Sequence, residues 1–410
     1  MKSFGLPESS DAKNLTLGAL ILVAATAAML APSLGIGTAK DLGVYLLAAQ
    51  RFADGASVYG PHFGQALPEP LPYTYPPVLA AGLSLVVWVP RNWAVAVWTA
   101  LDLALLIWVV NISFAPFLER LGRRRPVALA ILVGVFGLTA PVMSVFDLGQ
   151  VGIVLLALVL ADTIPDRTRL PRGVLVGVAT AIKLLPSLFI LYWVVIGRRR
   201  AAVVAIASAV GLWCLAAIMR PDVSQTYWLH VVTDPDRPGD ASVVVNQSIN
   251  GALQRLGWET PVVWAALAVI AIAIGLYRAR LAHRAGDELA AVSLVALATL
   301  LASPVSWIHH AVWIVPAAGV LLGDGTSRRR WLAWVAMVVL FLSDAPVLAR
   351  AGLSIGGPAA VVLENAFVAT YVVLLSLLPI SGRREERSPE IPSASRDLQV
   401  VTTSVAVRAR

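Results

Sequence analysis

A single cysteine, Cys214, stands in the whole chain, inside an apolar run. A disulfide framework, a cysteine-based zinc site and a thiol nucleophile are thereby left without support, and Cys214 reads as a small packing residue. Charge is scarce as well: 14% of the 410 residues are charged, against roughly 25% in soluble domains. With 58% hydrophobic residues and a mean hydropathy of +0.78, the chain carries more apolar surface than a soluble fold could bury. Internal repeats are also missing, and those are the usual mark of secondary transporters.

The balance of 32 basic against 24 acidic residues suggests at first an acidic partner such as nucleic acid. The arginines, however, fall in short clusters between apolar runs, which is how cytoplasmic membrane anchors are distributed. The expected surrounding is a lipid bilayer, with no nucleic acid.

A hydrocarbon core about 30 Å thick takes roughly 20 apolar residues per helix. Read this way, the chain predicts an all-α, polytopic membrane protein of about twelve spans: 15–33, 76–90, 92–114, 126–143, 150–163, 173–196, 201–219, 260–280, 289–304, 308–323, 330–346 and 356–379. The first run, from Leu15, imitates a secretory signal, but many spans follow it and the tail before it is poorly basic, so it reads as a retained span. Residues 1–380 form one transmembrane domain in this reading, and 381–410, rich in Arg, Glu, Ser and Pro, a disordered cytoplasmic tail.

With the N-terminus inside, Arg91, Arg198–Arg200, Arg278–Arg284, Arg328–Arg330 and Arg383–Arg387 all fall in the cytoplasm. Arg123–Arg125 and the group Arg167, Arg169 and Arg172 fall outside, against the rule. Short or re-entrant segments between 92 and 196 would account for this, and Lys183-Leu-Leu-Pro186 marks a break or kink there. Three segments lie outside and hold most of the informative polar residues: 34–75, 220–259 and the turn from Ser303 to His310.

Asp41 opens a helical stretch just after the first span, where it reads either as a helix N-cap or as a base at the membrane surface. Tyr45 follows in that stretch; Tyr59 and Tyr73-Thr-Tyr75-Pro-Pro lead into the second span as an interfacial aromatic belt with a rigid entry. Phe146-Asp147-Leu-Gly-Gln150 interrupts two short apolar runs. Lys183 lies within another, suited either to a lipid phosphate or to snorkelling or pairing with Asp102 or Asp147. Asn246-Gln247-Ser248-Ile-Asn250 offers neutral hydrogen-bonding groups fit for carbohydrate hydroxyls, though an ordinary polar loop looks the same. Asp234-Pro-Asp236 imitates a metal-binding Asp-x-Asp but sits among Pro and Gly as a turn. Ser303-Pro-Val-Ser306-Trp-Ile-His309-His310 is the sharpest group. Adjacent histidines on a helix point about 100° apart, so contact with phosphate or sugar is favoured over a shared metal.

Taken together, Asp41-Leu-Gly-Val-Tyr45, Tyr73-Thr-Tyr-Pro-Pro77, Phe146-Asp-Leu-Gly-Gln150, Lys183-Leu-Leu-Pro186, Asn246-Gln-Ser248 and Ser303-Pro-Val-Ser-Trp307 with His309 and His310 resemble the polyprenyl-phosphate-mannose-dependent α-1,2-mannosyltransferases of actinobacteria. These are GT-C superfamily membrane glycosyltransferases that extend phosphatidylinositol mannosides. The resemblance runs over roughly residues 15–320. It departs at Gly152, where Asn is common, and at Asn250, where a basic residue often stands, which bears on acceptor choice.

The resemblance implies a GT-C-like fold and an inverting transfer of mannose from polyprenyl-phosphate-mannose to a mannosylated glycolipid acceptor. The active site would lie on the outer face of the plasma membrane, with no cofactor and no metal. It makes Asp41 the catalytic base, which puts the cap reading second, and points Ser306, His309 and His310 at donor phosphate or sugar. Tyr45, Tyr59, Tyr73, Tyr75, Gln150, Lys183, Asn246 and Gln247 complete the expected substrate-binding set. A transporter or lipid flippase, or a noncatalytic scaffold in which Asp41 is dispensable, are the rival readings.

Overall fold

The computed structural model of the protein describes residues 9–30, 39–60, 63–65, 67, 71–164, 168–234, 237, 239–258, 260–350 and 357–382. Arg167, Pro235, Asp236, Arg383–Arg387 and the tail beyond 382 lie outside them, and with them the disordered-tail expectation and most of the Asp-Pro-Asp turn. The described chain is helical, and its only β pairing is a single bridge between Asn246 and Trp307.

Helix α1 (Ser9–Leu30) leads to α2 (Lys40–Ala53), which carries the first group of motif residues. Next comes α3 (Pro77–Ser84), entered through Pro77 in its first turn. Eight residues rise only about 12 Å, and both flanks of α3 remain beside α2. Before it, the Tyr75 hydroxyl lies 2.9 Å from that of Tyr45. After it, the Arg91 guanidinium comes to 3.1 Å from where a Cβ on Gly43 would sit. The expected span 76–90 is therefore a hairpin that returns to its own end of the bundle, and Arg91 stands with α2 rather than across from it.

Helix α4 (Arg91–Ser113) runs the length of the bundle to α5 (Ala115–Arg120) and α6 (Arg125–Gly137). Here Arg123 meets the start of α1, 3.6 Å from Asp11, and Asn14 donates to its carbonyl at 3.1 Å. Arg123, one of the arginines that disagreed with the charge rule, thus shares an end with residue 11. The next helix, α7 (Ala140–Leu148), is bent 75° from the preceding segment. Pro141 is the cause: a proline ring collides with the carbonyl four residues back, which is that of Gly137, the last residue of α6.

The same rule breaks the expected span 173–196. After α8 (Gly152–Thr163), α9 (Val174–Ile182) stops four residues before Pro186, and α10 (Leu188–Val195) starts anew, leaving Lys183 extended between them. Asp162 accepts from the N–H groups of Gly173 and Val176 at 2.9 and 2.8 Å, which closes the α8–α9 turn. Helix α11 (Arg199–Met219) packs along α9, with the Trp213 indole donating to the Ala181 carbonyl at 3.2 Å. Lys183 is thereby level with the last turns of α11. Beyond that end, in α12 (Pro221–Thr226), the Arg220–Asp222 pair anchors Arg220, which donates to the carbonyls of Phe52 and Ala56 at the far end of α2.

The second half contributes α13 (Ile249–Arg255), α14 (Pro261–Arg284), α15 (Glu288–Ala302), α16 (Ile314–Leu322), α17 (Arg328–Leu342), α18 (Ala345–Arg350), α19 (Pro358–Glu364) and α20 (Ala366–Leu377). Buried α15 and α16 form the centre. Helix α16 touches α4 so closely that a Cβ on Gly319 would lie 2.0 Å from the Ser113 carbonyl oxygen; only glycine permits that approach. Glu288 at the start of α15 accepts from Arg198 at 2.9 Å and pairs with His283 at 2.8 Å.

Among the described residues, four helices are long and apolar enough to cross a membrane by themselves: the first, α4, α11 and α14; two bent pairs raise the number to six. Four further apolar segments are shorter, namely α8, Leu185–Val195, α15 and Ile308–Leu322. The protein is an all-helical membrane protein, and the expected twelve spans exceed this number because several apolar segments are cut by proline and turn residues into pieces below full spanning length.

Candidate active site

The site is built where α2 sits on the end of α7. Ala39, in the left-handed region at φ 59°, donates its N–H to the Asp147 carbonyl at 2.7 Å and starts α2 there. Gly149 ends α7 at φ 66°, and a Cβ on it would fall 2.7 Å from that of Leu42. Its missing side chain lets the two segments touch, and its left-handed turn swings Gln150 toward α2. Asp41 lies in the first turn of α2 but makes no cap; Ala39 holds the cap position without a side-chain bond.

Gln150 then joins three groups. Its amide nitrogen donates to the Asp41 carboxylate. Its carbonyl oxygen accepts from the hydroxyls of Tyr45 at 2.9 Å and Tyr75 at 3.0 Å. Tyr75 in turn accepts from Lys183 Nζ at 3.2 Å, and that ammonium also lies 4.9 Å from the centre of the Tyr75 ring. Lys183 Nζ donates to His310 Nε2 at 2.6 Å. His310 accepting at Nε2 assigns its proton to Nδ1, which has no partner among the described residues; nor has Nε2 of His309.

Lys183 is thus not paired with Asp102 or Asp147, the carboxylates proposed for it from the sequence. Asp102 is buried with neither oxygen bonded to Lys183, and Asp147 is exposed. The pocket's lysine points instead at tyrosine, histidine and open volume.

A cavity of about 1400 Å³ opens in front of this chain of contacts, and Asp41, Tyr45, Tyr75, Gln150, Lys183, His309 and His310 all line it. Of the twelve residues expected to form the site, these seven come together. Tyr59, Tyr73, Asn246, Gln247 and Ser306 are not in the cavity wall but packed behind it. Asn246 Oδ1 accepts from the Ser306 N–H at 2.8 Å, and its Nδ2 donates to the Ala241 carbonyl at 2.8 Å. Gln247 donates to the carbonyls of Val244 at 2.6 Å and Glu364 at 2.8 Å and accepts from Val368 N–H at 3.3 Å. Ser248 accepts from Gly251 N–H at 3.0 Å as the N-cap of α13. Asn246, Gln247 and Ser248 of the polar cluster expected to meet carbohydrate spend their hydrogen bonds on latching the 220–259 loop to the Ser303–His310 turn and to the α19–α20 junction, whereas Asn250 lines the cavity and donates to the Pro304 carbonyl at 3.1 Å. Tyr59 and Tyr73 likewise donate to backbone carbonyls, of Tyr75 at 2.7 Å and Pro76 at 3.1 Å.

Arg237, within a segment that reads only as a turn, donates to the Tyr73 carbonyl at 3.0 Å, lies over the Tyr59 ring and lines the cavity. Tyr227 packs against Tyr59 at 5.7 Å between ring centres and lines it too. Neither position carries a sequence signal beyond being aromatic or basic in an outer loop.

Burial raises the Asp41 carboxyl above the ordinary aspartate range, while the Gln150 hydrogen bond and then the charges of Lys183 and Lys40 pull it back. The hydroxyls of Tyr45 and Tyr75 are pushed up, chiefly by burial, and stay protonated donors. Among the described residues, no three His, Cys, Asp or Glu side chains gather as a metal site would need. The geometry offers a carboxylate able to accept a proton, and facing the same volume a cation with histidine N–H able to meet an anion.

Known proteins carry similar sequences. The polyprenol-phosphate-mannose-dependent alpha-(1-2)-phosphatidylinositol mannoside mannosyltransferase of Mycobacterium tuberculosis is 35% identical over 320 residues, 74% of each chain. The protein of that name in Mycolicibacterium smegmatis is 35% identical over 334 residues, again 74% of each. The corresponding pentamannoside mannosyltransferase of M. smegmatis is 33% identical over 322 residues, 73% of this chain and 74% of that one. No solved structure matches the chain. Residues 73–304 match the family model, and with relatives of this identity and coverage the chain belongs to glycosyltransferase family 87.

Proposed function

We propose that the protein transfers mannose from polyprenyl-phosphate-mannose to a hydroxyl of a phosphatidylinositol mannoside or related mannosylated lipid, forming an α-1,2 linkage with inversion. The observation that carries this reading is that Asp41 and the Lys183–His310 pair line one cavity and are tied together through Gln150 and Tyr75. The names of the relatives support the donor and the acceptor class.

In the reaction, the acceptor oxygen attacks the anomeric carbon and its proton passes to Asp41. The bond from that carbon to the phosphate oxygen breaks in line, and polyprenyl phosphate leaves with the electron pair. A carboxylate lifted by burial is a better base than an exposed one, and fixed donors placed where leaving-group charge grows act strongly in a water-poor cavity. Lys183, Nδ1–H of His310 and Arg237 supply those donors. Tyr45 and Gln150 orient the base, and Tyr75 links it to the cation. Asn246, Gln247, Ser306, Tyr59 and Tyr73 act by holding the loops.

The chain, in this proposal, crosses the plasma membrane twelve times as one domain spanning 1–380, with the N-terminus in the cytoplasm and the cavity on the outer side. The expected span 76–90 drops out and 173–196 counts as two half-length passes around Lys183. The return of Arg91 to the α2 end and the meeting of Arg123 with Asp11 support this path. Arg123–Arg125 and Arg172 then lie inside, as positive charge should.

The test is Asp41→Asn in lipid nanodiscs with synthetic polyprenyl-phosphate-mannose and phosphatidylinositol mannosides, followed by mass spectrometry. Loss of transfer by about a hundredfold or more is expected in a variant that stays folded. Equal rates would remove Asp41 from the chemistry, and no transfer by the parent would sink the reaction.

A further inference from the structure

The wall of the cavity contains two polar groups that the chemistry above does not use. Asp344 follows α17 and lines the cavity with its Oδ1 buried and without a hydrogen-bond partner among the described residues. Its φ of 46° puts a non-glycine residue in the left-handed region, a conformation that must be held by its surroundings. The backbone is held: its carbonyl accepts from the N–H groups of Val347 at 3.0 Å and Leu348 at 3.1 Å. The carboxylate takes no part in that turn. Trp264, in the first turns of α14, also lines the cavity, and its buried Nε1–H is unpartnered as well.

A buried carboxylate oxygen and a buried indole N–H each cost stability when unpaired, and both face a cavity that a ligand can enter, so a ligand that pairs them gains binding energy there. The carboxylate accepts from hydroxyls, and the indole donates once and presents an apolar ring face. Those are the needs of a sugar ring. A phosphate would be repelled by Asp344. Neither residue belongs to α2, α7 or the Lys183 break, which carry the base and the cation. The cavity, about 1400 Å³, exceeds the roughly 300–1,000 Å³ typical for one small ligand and leaves room beside the donor.

We propose that Asp344 and Trp264 form the subsite for a hexose of the acceptor glycan, Asp344 accepting from ring hydroxyls and Trp264 donating to one. The proposal rests on the transfer reaction above and names the part of the cavity that selects its acceptor.

The experiment measures binding of a synthetic short-chain phosphatidylinositol mannoside to the parent, Asp344→Ala and Trp264→Phe by native mass spectrometry, independently of turnover. KM for acceptor and for donor is measured alongside. Binding weaker by about tenfold in Asp344→Ala, the worth of one hydrogen bond to a charged group, is expected, with acceptor KM rising in step and donor KM unchanged. Trp264→Phe, which keeps a ring and removes the N–H, should weaken binding several-fold and stands as the second probe if Asp344→Ala does not fold. Parent-like acceptor binding in the folded variants, or a rise in donor KM equal to that for acceptor, would overturn the subsite. A parent that binds the glycolipid but transfers nothing would overturn the reaction and leave the binding comparison to decide the subsite; a parent that binds no mannosylated lipid overturns both.

Discussion

Gln150 hands its side-chain amide to the Asp41 carboxylate across 109 positions of sequence. The same side chain accepts from Tyr45 and Tyr75, so its orientation is fixed: with two hydroxyl donors on its oxygen, only the nitrogen can face Asp41. Gln150→Ala removes the hydrogen bond that lowers the Asp41 carboxyl and leaves it to burial. We expect kcat for mannosyl transfer to fall by about tenfold or more, with the acid limb of the pH profile moving to higher pH. An unchanged limb would separate Gln150 from the base.

The charge of Lys183 acts in the same direction on Asp41, holding its carboxyl lower than burial alone would. As a base, Asp41 must be ionised, so activity is lost as pH falls through its pKa, and that loss begins above the range of an exposed aspartate. Lys183→Gln should therefore shift the acid limb upward as well as slow departure of the phosphate. A limb that moves downward would contradict the sign of this coupling.

Asn246→Ala should act differently. The residue is fully buried and never reaches the cavity wall, but the Ser306 N–H and the Ala241 carbonyl would lose their partner. A cost of about 1–3 kcal/mol in stability is expected for buried polar groups left unpaired, read as a lowered Tm, with no selective change in donor over acceptor KM and no shift of the pH profile.

The path of the chain can be read by thiol labelling. Cys214 is the only native cysteine. In a Cys214→Ser background, a cysteine replacing Arg91 should react with an impermeant maleimide from outside intact cells. One replacing Arg124 should react only after the membrane is opened. The opposite pattern would restore 76–90 as a crossing.

The sequence displays the helices and most of the site because the signals are local. Apolar runs are long, Pro141 and Pro186 stand where helices must stop, and Asp41, Gln150, Lys183 and His310 fall in recognisable motifs. What it hides depends on partners distant in the chain. Residues 76–90 are as apolar as a span, and only the Tyr45–Tyr75 contact and the Gly43–Arg91 approach reveal a hairpin. Asn246 and Gln247 offer the same groups whether they face a sugar or a carbonyl, and the fold gave them carbonyls. Asp344 and Trp264 belong to no motif, and their interest comes from a buried polar atom on each that has no partner among the described residues, a property no sequence pattern displays.

The seating of Ala39 and Asp41 on the Asp147–Gln150 turn, with Lys183 and His310 arriving later in the chain, also has a meaning for biogenesis. In the proposed reaction a ribosome would deliver the base first and the cation pair last, so the nascent chain would hold a carboxylate without the groups assigned to the leaving phosphate. On the proposed chemistry, a chain released before residue 310 would carry the base and Lys183 but lack the His310 that Lys183 meets.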